Sequence, residues 1–167
     1  IPYKDSLTKT KLKIINTKKE FNFFTIAAID NDTLQYVLLS PQVSSISTSK
    51  PTLEDVNLNL TVVMKPQQVK KILVLLDTLV ENWNKRQNNT NGELYEFMVA
   101  PEQNIIKESA NVVGWLPTLS FYSQNNSKGT LAFLFLGRGV FSTMTTFESV
   151  LDIQAFAEKL KIALEGV

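Results

Sequence analysis

VNLNLTVVMKPQQVKKILVLLDTLVENW, Val56 to Trp83, is the stretch on which the fold turns. Val56, Leu58, Leu60 and Val62 alternate with Asn57, Asn59 and Thr61, the period of a half-buried strand, and predict one from about Val56 to Met64. Pro66 stands where the first turn of a helix tolerates a missing N–H. Beyond it Val69, Ile72, Leu73, Leu76, Leu79, Val80 and Trp83 fall at i, i+3, i+4 spacing and predict an amphipathic helix. Lys70, Lys71, Asp77 and Glu81 lie off that stripe, Leu75 borders it, and Val74 falls on the opposite side.

The same plan returns in GVFSTMTTFESVLDIQAFAEKLKIAL, Gly139 to Leu164. One constant offset places Val69 on Ile153, Ile72 on Phe156, Leu73 on Ala157, Leu76 on Leu160 and Val80 on Leu164. It carries the preceding strand along, with Leu60 on Met144 and Val63 on Phe147. Further out, TLQYVLL (Thr33 to Leu39) resembles TLAFLFL (Thr130 to Leu136). Each belongs to an expected hairpin: Phe21 to Ile29 with Leu34 to Ser40 across Asp30-Asn31-Asp32-Thr33, and Leu116 to Ser123 with Thr130 to Leu136 across Gln124 to Gly129.

Between the repeats, Leu94 to Val99 reads as a strand, and Pro101 opens a short helix through about Asn111. The Ser-rich run from Pro41 to Pro51 reads as a loop, and Asp152 as the N-cap of the last helix. In that helix Ile153, Phe156, Ala157, Leu160 and Leu164 share one face, and Ile162 points away from it. The expected fold class is α+β: duplicated hairpin-strand-helix units whose antiparallel sheet or sheets pack with two main helices. Residues 1–167 form one domain, with an internal pseudo-repeat over 20–85 and 112–167 and a connector over 86–111.

Composition narrows the function. A 167-residue chain buries roughly 70% of the surface its unfolded form exposes, enough for a core without staples. His and Cys are absent, which excludes disulfides, thiolate nucleophiles, Cys/His zinc sites and histidine-based catalysis. The remaining carboxylate pairs, Glu54/Asp55, Asp30/Asp32 and Glu93/Glu96, fall in loops or at element ends. Asp30-Asn31-Asp32 lacks the glycine and distal glutamate of a calcium loop, and Gly137-Arg138-Gly139 is too short to cradle a phosphate. No catalytic residue, metal or cofactor is expected, and the chain does not read as an enzyme.

The net charge of +1 gives no footprint for duplex DNA. Six lysines (Lys4, Lys9, Lys11, Lys13, Lys18 and Lys19) crowd the first nineteen residues, as a solvated lead-in or as an edge strand whose lysines discourage mispairing. No apolar run reaches the membrane-spanning length of about 20 residues. The chain begins at Ile1 without Met, which leads us to expect a leader removed upstream. Of four Asn-x-Ser/Thr sequons, at Asn31, Asn59, Asn88 and Asn125, the one at Asn59 falls on the expected strand and is poorly placed for a glycan.

An apolar surplus remains. LQYVLLS and LAFLFL are apolar on both pleat faces, while hairpins dictate antiparallel pairing and only two substantial helices are available to cover them. Either the packed elements bury both faces, or part of one face stays open as an apolar groove. The candidate client-binding residues are Phe21, Phe23, Tyr36, Leu38, Phe133 and Phe135.

Over most of its length the chain resembles the soluble plastid and cyanobacterial import factors of the Tic twenty-two family. Phe23-Phe24-Thr25-Ile26 stands where that family opens with a Pro-Val-Phe-x-Ile strand, here without the Pro, and Met64-Lys65-Pro66-Gln67-Gln68 matches the turn into its first long helix. Tyr95 to Ala110 corresponds to its connector strand and short helix, Leu116-Pro117-Thr118-Leu119 to its Val-Pro-Leu-Phe strand, and Phe147-Glu148 to the entry of the last helix. The family's closing strand and short helix have no counterpart after Val167.

The resemblance implies a non-enzymatic, chaperone-like protein that binds precursor or client polypeptides and works beside membrane translocon components. Its place would be the intermembrane space of a plastid or apicoplast, or a cyanobacterial periplasm, with room for peripheral membrane association. The competing reading is a Whirly-like or Pur-like single-stranded nucleic-acid binder. Phe21, Phe23, Phe133 and Phe135 would then stack on bases, but the near-zero net charge makes nucleic acid the less expected partner.

Overall fold

The structure, a computed structural model, describes residues 4–41, 51–87, 94–99, 118–126, 129–138 and 141–165. The class is α+β, and two four-stranded antiparallel meanders carry it. A one-turn helix, α1 (Lys4–Leu7), precedes β1 (Lys11–Ile14), β2 (Phe23–Asp30), β3 (Thr33–Pro41) and β4 (Val62–Met64), which pair in chain order. Helix α2 (Pro66–Gln87) follows. Then β5 (Leu94–Val99), β6 (Thr118–Asn126), β7 (Gly129–Arg138) and β8 (Phe141–Phe147) repeat the order, and α3 (Val150–Leu164) closes the second half. Strand β5, in the stretch read as a connector, pairs with β6 along its whole length. The short helix expected after Pro101 lies outside the described residues.

Local chemistry explains the element ends. The β2–β3 loop is two residues long, and Asn31 and Asp32 sit at φ of 51° and 58°, as a type I′ hairpin turn requires. Asn and Asp tolerate that left-handed region better than other non-glycine residues. Pro66 opens α2, and the Lys65 carbonyl accepts the amides of Gln68 and Val69. Helix α3 begins one turn earlier than expected. Ser149, not Asp152, is its N-cap, and the Asp152 carboxylate reaches back to accept the Glu148 amide at 3.1 Å.

The expected strand from Val56 shrinks to Val62–Met64. Residues 53–55 form a 3-10 turn, and Asn57 starts another: its carbonyl accepts the Leu60 amide, and its side chain accepts the Asn59 amide at 3.1 Å. The sequon at Asn59 therefore sits exposed in a turn rather than on a strand.

A single large core joins the halves. It gathers Phe23, Ala27, Val37, Leu39, Val62 and Met64 from the first sheet, Ala132, Leu134, Leu136 and Phe147 from the second, and the buried stripes of both long helices. Helix α2 touches β3, β6 and β7, α3 touches β2, β3 and β8, and the helices touch each other. Each helix thus packs on the other half's sheet as well as its own. The offset matching the helices holds in burial: Val69, Ile72 and Leu76 are buried, as are Ile153, Phe156 and Leu160, while Val74 stays 64% exposed. Ile162 is half-buried against this core rather than turned away from it.

For the strands the same offset fails. Val63 faces the outer side of the first sheet, whereas Phe147 faces the central core. In the ladders it is Met144, paired with Phe135, that stands where Val63 stands beside Leu38.

The connector from Ile15 to Asn22 clasps the second half. Phe21 enters the core, stacked on Phe23 at 5.3 Å between centroids and edge-on to Phe147 and Phe156. Asn22 donates its side-chain amide to the Met144 carbonyl at 2.9 Å and accepts from the Thr145 hydroxyl, which ties β8 to the start of β2. Lys19 pairs with Asp152 at 3.7 Å. Lys159, 5% exposed, points its Nζ at the Ile15 carbonyl 3.5 Å away, beside the Phe21 ring. Burial lowers the Lys159 pKa, against an opposing pull from Glu20 and Glu158.

Candidate binding cleft

Both pleat faces of the first sheet are apolar because both are covered, but the two covers differ. The inner face meets the helices and the second half. The outer face carries Leu12 and Ile14 of β1 beside Ile26, Ala28, Leu38 and Val63, and over it lies a thin layer made by Leu7 of α1 and residues 53–58. This layer is incomplete. Between the α1–β1 wall and the 51–59 wall opens a cleft of about 1170 Å³, somewhat larger than the roughly 300–1,000 Å³ of sites that bury a small ligand.

Its floor is aliphatic: Leu7 and Val56 are almost fully buried, while Leu12, Leu53 and Leu58 remain half-buried and offer apolar surface. Thr10, Glu54 and Asn59 stand at the rim. Asp55, beside Glu54, holds a structural post: its carboxylate accepts the Thr52 amide at 2.9 Å and hydroxyl at 3.2 Å and fixes the 51–59 wall. A buried polar seat anchors the far end of that wall, where the Thr61 hydroxyl donates to the Asn57 carbonyl at 2.7 Å and lies 3.1 Å from the Ser40 hydroxyl. The wall is therefore held by hydrogen bonds at both ends while its leucines face the opening.

The structure divides the six sequence-derived residues. Phe21, Phe23 and Leu38 are buried, at 9%, 3% and 0% exposure, so the expectation that they present a binding surface gives way to a core role. Phe21 and Phe23 are equally withdrawn from any base that would stack on them. Tyr36 is half-buried at the edge of the outer-face cluster, under the same layer as the cleft. Phe133 is half-buried on the outer face of the second sheet, opposite the pleat face that Ala132 and Leu134 give to the core. Position 135 pairs with Met144 in the ladder, and Met144 is 51% exposed. The side chain of Phe135 lies outside the described residues.

Sequence reading missed Leu7, Leu53 and Leu58, the residues that shape the cleft. A signal existed in Thr52-x-x-Asp55, a capping pattern that announces a turn rather than a strand. Among the described residues no helix is long and apolar enough to cross a membrane. Neither a scan against protein-family models nor a search of curated proteins finds a match to this chain.

Proposed function

We propose that this chain is a non-enzymatic, chaperone-like protein that shields apolar segments of precursor or unfolded polypeptides during import across plastid envelope membranes. One observation carries the reading: an open cleft with an aliphatic floor lies over a sheet face whose own side chains are apolar. Transfer of a client's aliphatic side chains onto Leu12, Leu53 and Leu58 removes apolar surface from water at about 25 cal/mol per Å², with no bond made or broken. The resemblance to the Tic twenty-two family supports the compartment, an apicoplast or plastid intermembrane space or a periplasm, and the translocon as neighbour.

The test is light scattering of a thermally unfolding client protein. The expected result is suppression that saturates near stoichiometric amounts, needs no ATP, and is lost in Leu58→Asp with the fold intact by circular dichroism. Suppression that Leu58→Asp leaves untouched counts against the cleft, and no suppression at all counts against the function.

A further inference from the structure

One side of the cleft is a strand edge. β1 is the outermost strand of its sheet, and β2 is the strand paired with it. The Ile15 amide donates to the Thr25 carbonyl at 2.9 Å, so odd-numbered residues turn their backbone groups toward β2. Backbone direction alternates along an antiparallel strand, which leaves the N–H and C=O groups of Leu12 and Ile14 facing outward. The side chains divide between the two pleat faces. Leu12 and Ile14 stand on the outer face with the cleft, while Lys11 and Lys13, in register with Ile29 and Ala27, stand on the other face and are exposed. Lys9 is exposed just before them, and among the described residues none of the three lysines pairs with a carboxylate.

From this placement we infer that the cleft takes its polypeptide as an added strand: an extended segment bonded to the backbone of Leu12 and Ile14, aliphatic at alternate positions and acidic between them. The inference rests on the polypeptide-binding reading above and specifies its partner. In an added strand the side chains beside Leu12 fall over the cleft and meet Leu53 and Leu58, so aliphatic residues belong there. Those between fall beside Lys11 and Lys13, where a carboxylate finds an unpaired cation. Lysines on an edge repel a second copy of the same edge, and they favour an acidic strand by the same charge. Because β1 is four residues long, the added strand gains few backbone bonds, which suits a client held and released without an energy source.

The test uses the full chain and a blocked seven-residue peptide alternating valine and glutamate, followed by fluorescence anisotropy and by amide chemical shifts. Saturable binding is expected, with shifts concentrated in residues 10–14 and 53–58. Affinity is expected to fall at least tenfold when the peptide is N-methylated at alternate residues along the edge that meets β1. Lys11→Glu with Lys13→Glu is expected to reverse the preference toward a valine–lysine peptide. The N-methyl arm alters only the peptide and stands even if the charge-reversed variant does not fold. Unchanged binding of the N-methylated peptide, shifts confined to the second sheet, or capture of a single-stranded oligonucleotide in place of the peptide would each overturn the inference. If the chain protects a client yet ignores the peptide, strand addition fails and the cleft reading survives; if it does neither, both fall.

Discussion

The ring of Phe23, on β2 of the first half, meets the ring of Phe156, on α3 of the second half, edge-on at 5.5 Å between centroids and 89° between planes. Both are buried, and Phe21 and Phe147 complete the cluster. An aromatic contact of this geometry adds about 0.5–1.5 kcal/mol beyond area burial, and here it spans the two halves. The duplicated units therefore share one core rather than standing as two.

Phe156→Ala should accordingly destabilise the whole chain by about 3–5 kcal/mol, the range for a buried Phe truncation. Urea unfolding followed by tryptophan fluorescence and by circular dichroism should show one coincident transition shifted to lower denaturant. Two separated transitions would mean that the halves are stable independently.

Asn22→Ala removes the side-chain bond to the Met144 carbonyl and the partner of the Thr145 hydroxyl. Asn22 is exposed, so the cost should be modest, about 1 kcal/mol. Hydrogen exchange should quicken locally in β8 and leave the β2–β3 ladder protected.

Lys159 gives a pH dependence of defined sign. Burial holds its folded pKa below the ordinary 10.5, so between the two values the unfolded chain binds more protons than the folded one. The contribution of this residue to stability therefore rises with pH through that window and is least favourable below it, where the buried amine is charged. Lys159→Met should be at least as stable as the parent at neutral pH, and its advantage should shrink as pH climbs toward 10.5. Denaturant titrations at stepped pH read this directly; an advantage that grows with pH would reverse the assignment.

Asp32→Gly should stabilise the β2–β3 hairpin by up to about 1 kcal/mol, because glycine adopts the φ of 58° without the penalty a side chain brings. A rise in the thermal midpoint checks it, and a fall would show that the Asp32 side chain does more than occupy the turn.

Much of this fold was legible because helix stripes and hairpin turns are local. The Asn-Asp turn, Pro66 at the head of α2, and the matched burial of Ile72 with Phe156 all follow from short-range pattern. The strand expected from Val56 gives way because Asn57 brings competing chemistry. Its side chain accepts the Asn59 amide and its carbonyl the Leu60 amide, which closes a turn, and the alternating Val56 and Leu58 then serve as a lid on the outer face rather than rungs in a ladder. The site was misread for a related reason. Hydrophobic pattern marks which residues want burial but not which element covers them, so Phe23 and Leu38 looked available until α3 and the 53–58 layer were in place.

Whether the outer-face cleft holds apolar polypeptide is read out by hydrogen exchange of the chain with and without a stoichiometric unfolded client. Added protection is expected in residues 10–14 and 53–58, and none in the buried stripe of α2. Client bound without protection there, or with protection confined to the second sheet around Phe133 and Met144, would contradict it.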